Sequence, residues 1–278
     1  MGTPLGDFIR AKRDSIQPAS LGLPERGRRR SRGLRRLDLA AGASISVEYL
    51  ARIEQGRDRN PSPTVVNALA DALRLDASER NHLRYLAKIT RDECSVHIRP
   101  VPPPRQVRAP VLRTLRLLEP GVAMVTNRLG DVLAHTGGFR SATSGTGLLD
   151  AAAPNLNRYL FTDPRARTFF VDWDDVADEQ AFDLWQAPSL ENLEWLTTEL
   201  TPIAGSDFTC RLSRHVVPRR GVLRLNHPGG HQLRLLRETL ELTADAQQLV
   251  VFLPADEQTA TSLDQLQRQS HGRLRSIS

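Results

Sequence analysis

A short stretch from Leu39 to Arg57, LAAGASISVEYLARIEQGR, limits the possible folds of this chain more than any other feature. Its alanine-rich beginning predicts a short helix that a second helix can cross closely, and residues 43–45 predict a tight turn between the two. Ser46 is a residue type that commonly caps the start of a helix. Leu50 and Ile53 then fall on one side of the second helix, which predicts that this side is buried. The stretch therefore predicts a helix-turn-helix.

The segments on either side of this stretch complete a small helical bundle. Apolar or small residues recur at helical spacing in Leu5–Arg13, before the stretch, and in Leu37–Ala41, which overlaps its beginning. Ser62 and Pro63 are suited to the cap and the first position of a further, clearly amphipathic helix. The spacing of the acidic residues in Asp76–Glu79 predicts a capping box at the start of another helix. We therefore expect an all-α domain here.

Positive charge is concentrated in this first part of the chain. Residues 1–99 contain 19 Lys and Arg against 12 Asp and Glu, whereas the other 179 residues contain 19 and 20. Seven of the arginines lie between Arg26 and Arg36. This asymmetry predicts a polyanion as the partner of the N-terminal part. The arginine run alone is also compatible with a disordered basic arm or with a merely solvated charge run.

A proline-rich segment separates the two parts of the chain. Residues 95–111 contain five prolines, which favour an extended spacer and end any helix before them. We therefore expect four regions, which are a helix-turn-helix domain at 1–92, a linker at 93–110, a second domain at 111–256 and a tail at 257–278.

The C-terminal part has a mixed pattern of strands and helices. Alternating residues predict a hairpin that turns at Arg128–Asp131, and Pro228–Gly230 predict a second turn between two later strands. Asp163 and Pro164 predict the start of a long helix that runs on to Trp185, and two more helices follow it. The fold class that we predict is multidomain, with an all-α helix-turn-helix domain followed by an α+β domain with an antiparallel five-stranded sheet.

The helix-turn-helix stretch resembles that of the phage-repressor-like (Xre-type) regulators. The residues that match the family pattern are Leu39, Ala40, Ala43, Ser44, Ile45, Ser46, Leu50, Glu54 and Gly56. Ser44 stands where the family has a turn glycine, and Gly42 lies two residues earlier. The wider context, GLPERGRRRSRGLRR before the motif and EQGRDRNPSPTVVNALADALRLDASER at its end, resembles the actinobacterial regulators of the MmyB type over residues 4–90.

The resemblance implies that the arginines belong to a DNA-binding domain, where they contact phosphates or reach a minor groove. The exposed side of the second helix is then expected to read bases. In an alternative that the spacing leaves open, Glu48 and Arg52 only pair with each other. The candidate DNA-binding residues are Arg28, Arg29, Arg30, Arg35, Arg36, Ser46, Val47, Glu48, Tyr49, Arg52 and Arg57.

The C-terminal part also resembles the MmyB family, through GDVLA, YLFTDPRAR, DW, RH, GVLRLNHP and a late LVVF strand in the expected order. The resemblance implies a PAS-like domain of the MltR/MmyB type that holds a fatty-acid-like apolar molecule. His135-Thr136 stand where relatives often have Trp-Asn, and Leu212 stands where they often have Trp, so the pocket is expected to differ in shape from theirs. The candidate ligand-binding residues are Met124, Leu133, Phe161, Phe169, Phe170, Trp173, Leu225 and Leu235, with Arg214 and His215 for a carboxylate. The apolar ones could equally fill a core.

The chain lacks the motifs of an enzyme or a metal site. No HExxH, CxxC, GxSxG, P-loop or GxGxxG occurs, and Cys94 and Cys210 are far apart, so we expect reduced thiols, no cofactor and no metal. No apolar run is long enough to cross a membrane, and we expect a cytoplasmic protein. We predict a transcriptional regulator that binds double-stranded operator DNA, forms a homodimer and responds to a small molecule. In the alternative, the C-terminal domain only mediates dimerisation or protein contacts.

Overall fold

The structure is a computed structural model. It describes residues 3–21, 33–92, 105–185, 190–218 and 221–273. The chain divides into two compact units, one formed by 1–99 with Ser213–Val217 and the other by 100–212 with 218–278. Most of the expected linker, including Cys94, lies outside the described residues.

The N-terminal unit is helical, as the sequence predicts. Its helices are α1 (Pro4–Ser15), a short 3₁₀ helix (Pro18–Leu21), α2 (Arg36–Gly42), α3 (Val47–Glu54), α4 (Pro63–Ala72) and α5 (Ala77–Asp92). The predicted caps are present. Ser62 Oγ accepts a hydrogen bond from Val65 N–H at 3.3 Å, which satisfies a backbone donor that the helix leaves unpaired. Asp76 and Glu79 form the reciprocal bonds of a capping box.

The core of this unit is built from one apolar side of each helix. Leu50 and Ile53 of α3 are fully buried, in agreement with their spacing. The other large side chains buried with them come from α1, α2, α4 and α5 and include Leu5, Phe8, Ile9, Leu39, Leu69, Leu83 and Leu86.

The C-terminal unit contains one antiparallel sheet of five strands. The strands are β1 (Val122–Asn127), β2 (Val132–His135), β3 (Leu223–Asn226), β4 (Gln232–Leu242) and β5 (Gln247–Pro254). They lie side by side in the order β2-β1-β5-β4-β3. β1 and β2 form the predicted hairpin, and β5 pairs with β1 on one side and with β4 on the other.

Helices cover both faces of this sheet. The helices of this part of the chain are α6 (Ala109–Leu117), α7 (Gly137–Ala142), α8 (Leu156–Thr162), α9 (Pro164–Phe169), α10 (Trp173–Leu184), α11 (Leu190–Ala204), α12 (Ser206–Arg214) and α13 (Glu257–Arg273). We call the face that bears Met124 and Val250 the inner face, because the larger aromatic core lies against it with residues of α7 to α10 and α13. The outer face carries a smaller cluster formed with Val111 and Leu115 of α6.

Two regions differ from the sequence-based expectation. The long helix expected after Asp163 is broken into α9 and α10, although Asp163 does cap α9 by accepting from Arg165 N–H at 2.9 Å. The expected tail contains α13, and Leu263 and Leu266 of this helix are buried in the core on the inner face. Because their partners lie far away in sequence, a local pattern does not reveal this packing. Within the described ranges, we find no helix that is both long and apolar enough to cross a membrane.

Candidate nucleic-acid interface and ligand cavity

The turn between α2 and α3 has the geometry of a helix-turn-helix. Ser44, which replaces the turn glycine, adopts a left-handed conformation with φ of 53°. Ile45 N–H donates to Ala40 O at 3.0 Å and closes the end of α2. Ser46 then caps α3, because its Oγ accepts from Tyr49 N–H at 3.0 Å. The expected turn and cap are therefore both present at the predicted positions.

A buried carboxylate joins the helices around this motif. Glu54, at the end of α3, has no exposed surface. Its Oε1 accepts from Arg13 Nε at 2.8 Å and its Oε2 accepts from Arg36 Nε at 2.6 Å. Arg10 Nη2 donates to the Glu54 carbonyl oxygen at 2.7 Å. Glu54 thus holds α1 and α2 against α3, a role that the motif match did not reveal.

The side of α3 opposite the core is open and polar. Ser46, Glu48 and Arg52 are exposed, and Val47 and Tyr49 are partly exposed. The Arg52 guanidinium lies 5.6 Å from the centre of the Tyr49 ring and forms an ion pair with Asp58 at 3.1 Å. Its side chain remains 57% exposed. The expected reading side of α3 therefore presents a cation beside an aromatic ring.

The Tyr49 hydroxyl is affected by the same neighbours. Partial burial raises the pKa of Tyr49, and the negative charge of Asp58 raises it further, whereas Arg52 opposes the change. The phenol is therefore neutral near pH 7 and can both donate and accept a hydrogen bond.

The candidate arginines that the structure describes surround this helix pair. Arg35 precedes α2 and its N–H donates to Asp38 Oδ2 at 3.2 Å, and its side chain is exposed. Arg57, just after α3, is also exposed. Arg36 remains 44% exposed although it pairs with Glu54. The candidates Arg28, Arg29 and Arg30 lie outside the described residues.

The C-terminal unit contains a cavity between the inner face of the sheet and the helices. Its volume is about 90 Å³. Five of the ten candidate ligand-binding residues line it, namely Met124, Phe169, Phe170, Leu225 and Leu235. Backbone alternation brings Met124, Leu225 and Leu235 to this face, and α9 supplies Phe169 with Phe170 following directly.

The other five candidates are not among the residues that line the cavity. Leu133 lies on β2 and packs with the α6 cluster on the outer face. Phe161 and Trp173 pack against each other with ring centres 6.2 Å apart, and the Arg167 guanidinium lies 3.7 Å from the Trp173 ring. Arg214 is exposed at the end of α12.

His215 belongs to the N-terminal unit instead. It is buried, has φ of 46°, and its Nδ1 lies 3.3 Å from Nε2 of His82 on α5. Phe8 contacts both rings edge-on. Burial lowers the pKa of His82 to about 4 and that of His215 to about 3, so both rings are neutral near pH 7. The sequence-based prediction that Arg214 and His215 anchor a carboxylate in the cavity therefore has no support from this geometry.

Comparison with protein families gives two matches. The profile of the MmyB-like transcription regulator ligand binding domain matches residues 107–266, which is more than half of the chain. This chain belongs to the MmyB-like transcription regulators. A helix-turn-helix domain profile matches residues 26–83, the region that contains α2 and α3. No similar protein was found among curated proteins.

The family and the fold together make this MmyB-like protein a DNA-binding transcription regulator with a ligand-binding domain. The two departures from relatives in the C-terminal domain have local roles. Thr136 caps α7 by accepting from Phe139 N–H at 3.1 Å, and the Leu212 side chain is buried. Among the residues described, no three or more His, Cys, Asp or Glu side chains are grouped so that they could hold a metal ion.

Proposed function

We propose that this MmyB-like regulator binds operator DNA with α3 in the major groove. The observation that carries the proposal is the open side of a capped α3, where the 57% exposed Arg52 lies beside Tyr49. An arginine in this position has the donor geometry for guanine O6 and N7. Glu48 is exposed on the same helix and can accept from cytosine N4. Val47 can contact a thymine methyl group.

Phosphate contacts are assigned to the arginines around α2 and α3. Arg35, Arg36 and Arg57 are exposed or partly exposed, and Ser46 lies at the N-terminus of α3, where phosphate oxygens bind favourably. We assign Arg28, Arg29 and Arg30 to the same role from the sequence. Guanidinium groups suit it because they bind phosphate in a bidentate manner and stay charged.

In the C-terminal domain, we propose that an apolar small molecule occupies the cavity and changes operator affinity. Support comes from the wall that Met124, Phe169, Phe170, Leu225 and Leu235 form. An apolar cavity with a few polar groups is the usual form of a small-molecule site.

A second candidate role for this domain, contact with another copy of the chain, is favoured by a different observation. Leu236, Leu240 and Leu253 are exposed on the outer face of β4 and β5, and Leu236 pairs directly with Leu253 across the strands. Exposed apolar side chains that lie together often mark a protein interface. We therefore propose a homodimer, in which two α3 helices reach half-sites about 34 Å apart.

The test is binding of the purified protein to its own promoter DNA across a salt series. We expect Arg52→Ala to weaken specific binding by about 1–3 kcal/mol and to relax the preference at one base pair. Replacement of Arg28, Arg29 and Arg30 by alanine should instead lower the salt slope by up to about three and weaken binding to all sequences alike.

The matched control is Arg113→Ala, which removes an exposed arginine from α6 in the other unit and should change neither quantity. If the Arg52→Ala and Arg113→Ala variants bound alike, α3 would not be the reading helix. If the wild type bound no DNA at low salt, the operator-binding proposal would be wrong altogether.

A further inference from the structure

The cavity changes from apolar to polar along the strands. The register places Val122 beside Phe252, then Met124 beside Val250, and then Thr126 beside Gln248. All six side chains line the cavity. Hence the part of the wall that β1 and β5 form is hydroxyl and amide near the β1–β2 turn and hydrocarbon farther from it, whereas β4 adds Thr239 beside Val250 and Arg237 beside Phe252. The strip along β1 and β5 therefore matches a molecule with one apolar end and one polar end.

The polar end contains a hydrogen-bond acceptor with no partner. Asn157 of α8 lines the cavity and is only 2% exposed. Its Nδ2 donates to the Leu129 carbonyl oxygen at 3.0 Å, and this bond fixes the orientation of the amide. Within the described part of the chain, its Oδ1 is buried without a hydrogen-bond partner. A buried acceptor without a partner costs free energy, so a ligand donor that reaches it gains affinity.

The charged groups of the lining already have partners. Arg128 forms an ion pair with Glu241 at 2.6 Å, and Arg237 forms one with Glu179. A carboxylate head would have to displace one of these acids, and it has no proton to offer Asn157 Oδ1. A neutral group with an O–H or N–H meets neither obstacle.

We propose that the cavity takes an amphipathic molecule whose neutral head donates a hydrogen bond to Asn157 Oδ1 and whose hydrocarbon chain lies along Met124, Val250 and Phe252. The inference rests on the proposed function, because it requires the cavity to be the ligand site. The cavity volume is about 90 Å³, so the probe must be small and unbranched. Octanol is unbranched and carries the required donor.

The experiment measures the dissociation constants of three probes of equal chain length for the full-length protein by calorimetry. Octanol carries a donor, octyl methyl ether carries only an acceptor, and octanoate carries a charge. We expect octanol to bind about tenfold more tightly than the ether, the ratio that one net hydrogen bond supplies. Octanoate should also bind more weakly than octanol at pH 7.

Asn157→Leu should remove the preference for octanol over the ether. The Leu129 carbonyl keeps a donor in this variant, because Asn155 Nδ2 also donates to it at 3.0 Å. The matched control is Thr239→Val, which removes a lining hydroxyl on β4 at constant size and should leave the preference unchanged. If Asn157→Leu does not fold, the comparison of the three probes on the wild type decides alone.

The possible failures can be told apart. Equal binding of octanol and the ether to the wild type, or tightest binding of octanoate, overturns the donor inference and leaves ligand sensing intact. Retention of the preference by Asn157→Leu shows that another group accepts the hydrogen bond and overturns the assignment to Asn157. If none of the three probes binds, the inference and the small-molecule part of the proposed function are both wrong, whereas operator binding is unaffected.

Discussion

Glu54 is a buried carboxylate whose two oxygens accept hydrogen bonds from arginines of two other helices. Glu54→Gln removes the charge but keeps the shape, and the mostly buried Arg13 guanidinium loses its buried counter-charge while it keeps the ion pair with the exposed Asp14. We expect a loss of roughly 3 kcal/mol in the free energy of unfolding of the N-terminal unit. Urea titration followed by circular dichroism measures it. Glu48→Gln, an exposed control on the same helix, should change stability by less than about 0.5 kcal/mol. Equal effects of the two changes would contradict the role of Glu54.

The His82–His215 pair makes stability depend on pH. Both pKa values are lowered in the folded protein, to about 4 and about 3, whereas the unfolded chain protonates these rings near the ordinary value of 6.5. As the pH falls below about 6.5, the unfolded state therefore binds more protons than the folded state. The contribution of this pair to stability is complete above pH 6.5 and is lost progressively below it. The expected loss is up to about 1.4 kcal/mol per pH unit for each proton.

Urea midpoints at pH 7 and pH 5 test this dependence. His215→Asn should reduce it, and asparagine tolerates the positive φ of this position. The prediction is wrong if the variant and the wild type lose the same stability between the two pH values.

Among the secondary-structure elements, the turn between α2 and α3 carries a strained residue. Ser44 has φ of 53°, a conformation that costs an L-residue about 1 kcal/mol. Ser44→Gly relieves this cost but adds entropy to the unfolded chain, and we expect a net gain of roughly 0.5 kcal/mol in stability. The control Ala41→Gly adds the same residue inside α2 and should instead cost about 1 kcal/mol. Thermal unfolding of both variants shows whether each change raises or lowers the melting temperature. A lower melting temperature for Ser44→Gly would show that the turn is not strained.

In the molecule as a whole, DNA binding and ligand binding must be linked reciprocally if the proposed function holds. If octanol changes the operator dissociation constant by some factor, operator DNA must change the octanol dissociation constant by the same factor. We expect a factor of about five or more. Ala142 lines the cavity, so Ala142→Leu should fill it and abolish both effects while operator affinity without octanol stays the same. A response of this variant equal to that of the wild type would separate the cavity from regulation.

Most of the secondary structure could be predicted because its signals are local. The Ser46 cap, the Asp76–Glu79 capping box and the hairpin turn at Arg128–Asp131 each involve residues within four positions of one another. The sequence does not predict the break between α9 and α10. Asp163 and Pro164 indicate where a helix begins, but they do not indicate where that helix ends.

Local sequence thus established the two-part organisation, the helix-turn-helix and the five strands, because these depend on spacing and on residue type. The place of Asn157 in the cavity wall, the Glu54 contacts and the burial of His215 emerged only from the folded chain. They join residues that are far apart, such as Arg13 with Glu54 and His82 with His215. An apolar side chain can fill a core or line a cavity, and a charged one can pair with any of several opposite charges. Which partners a side chain contacts depends on how whole elements pack, and periodicity along the chain does not predict that packing.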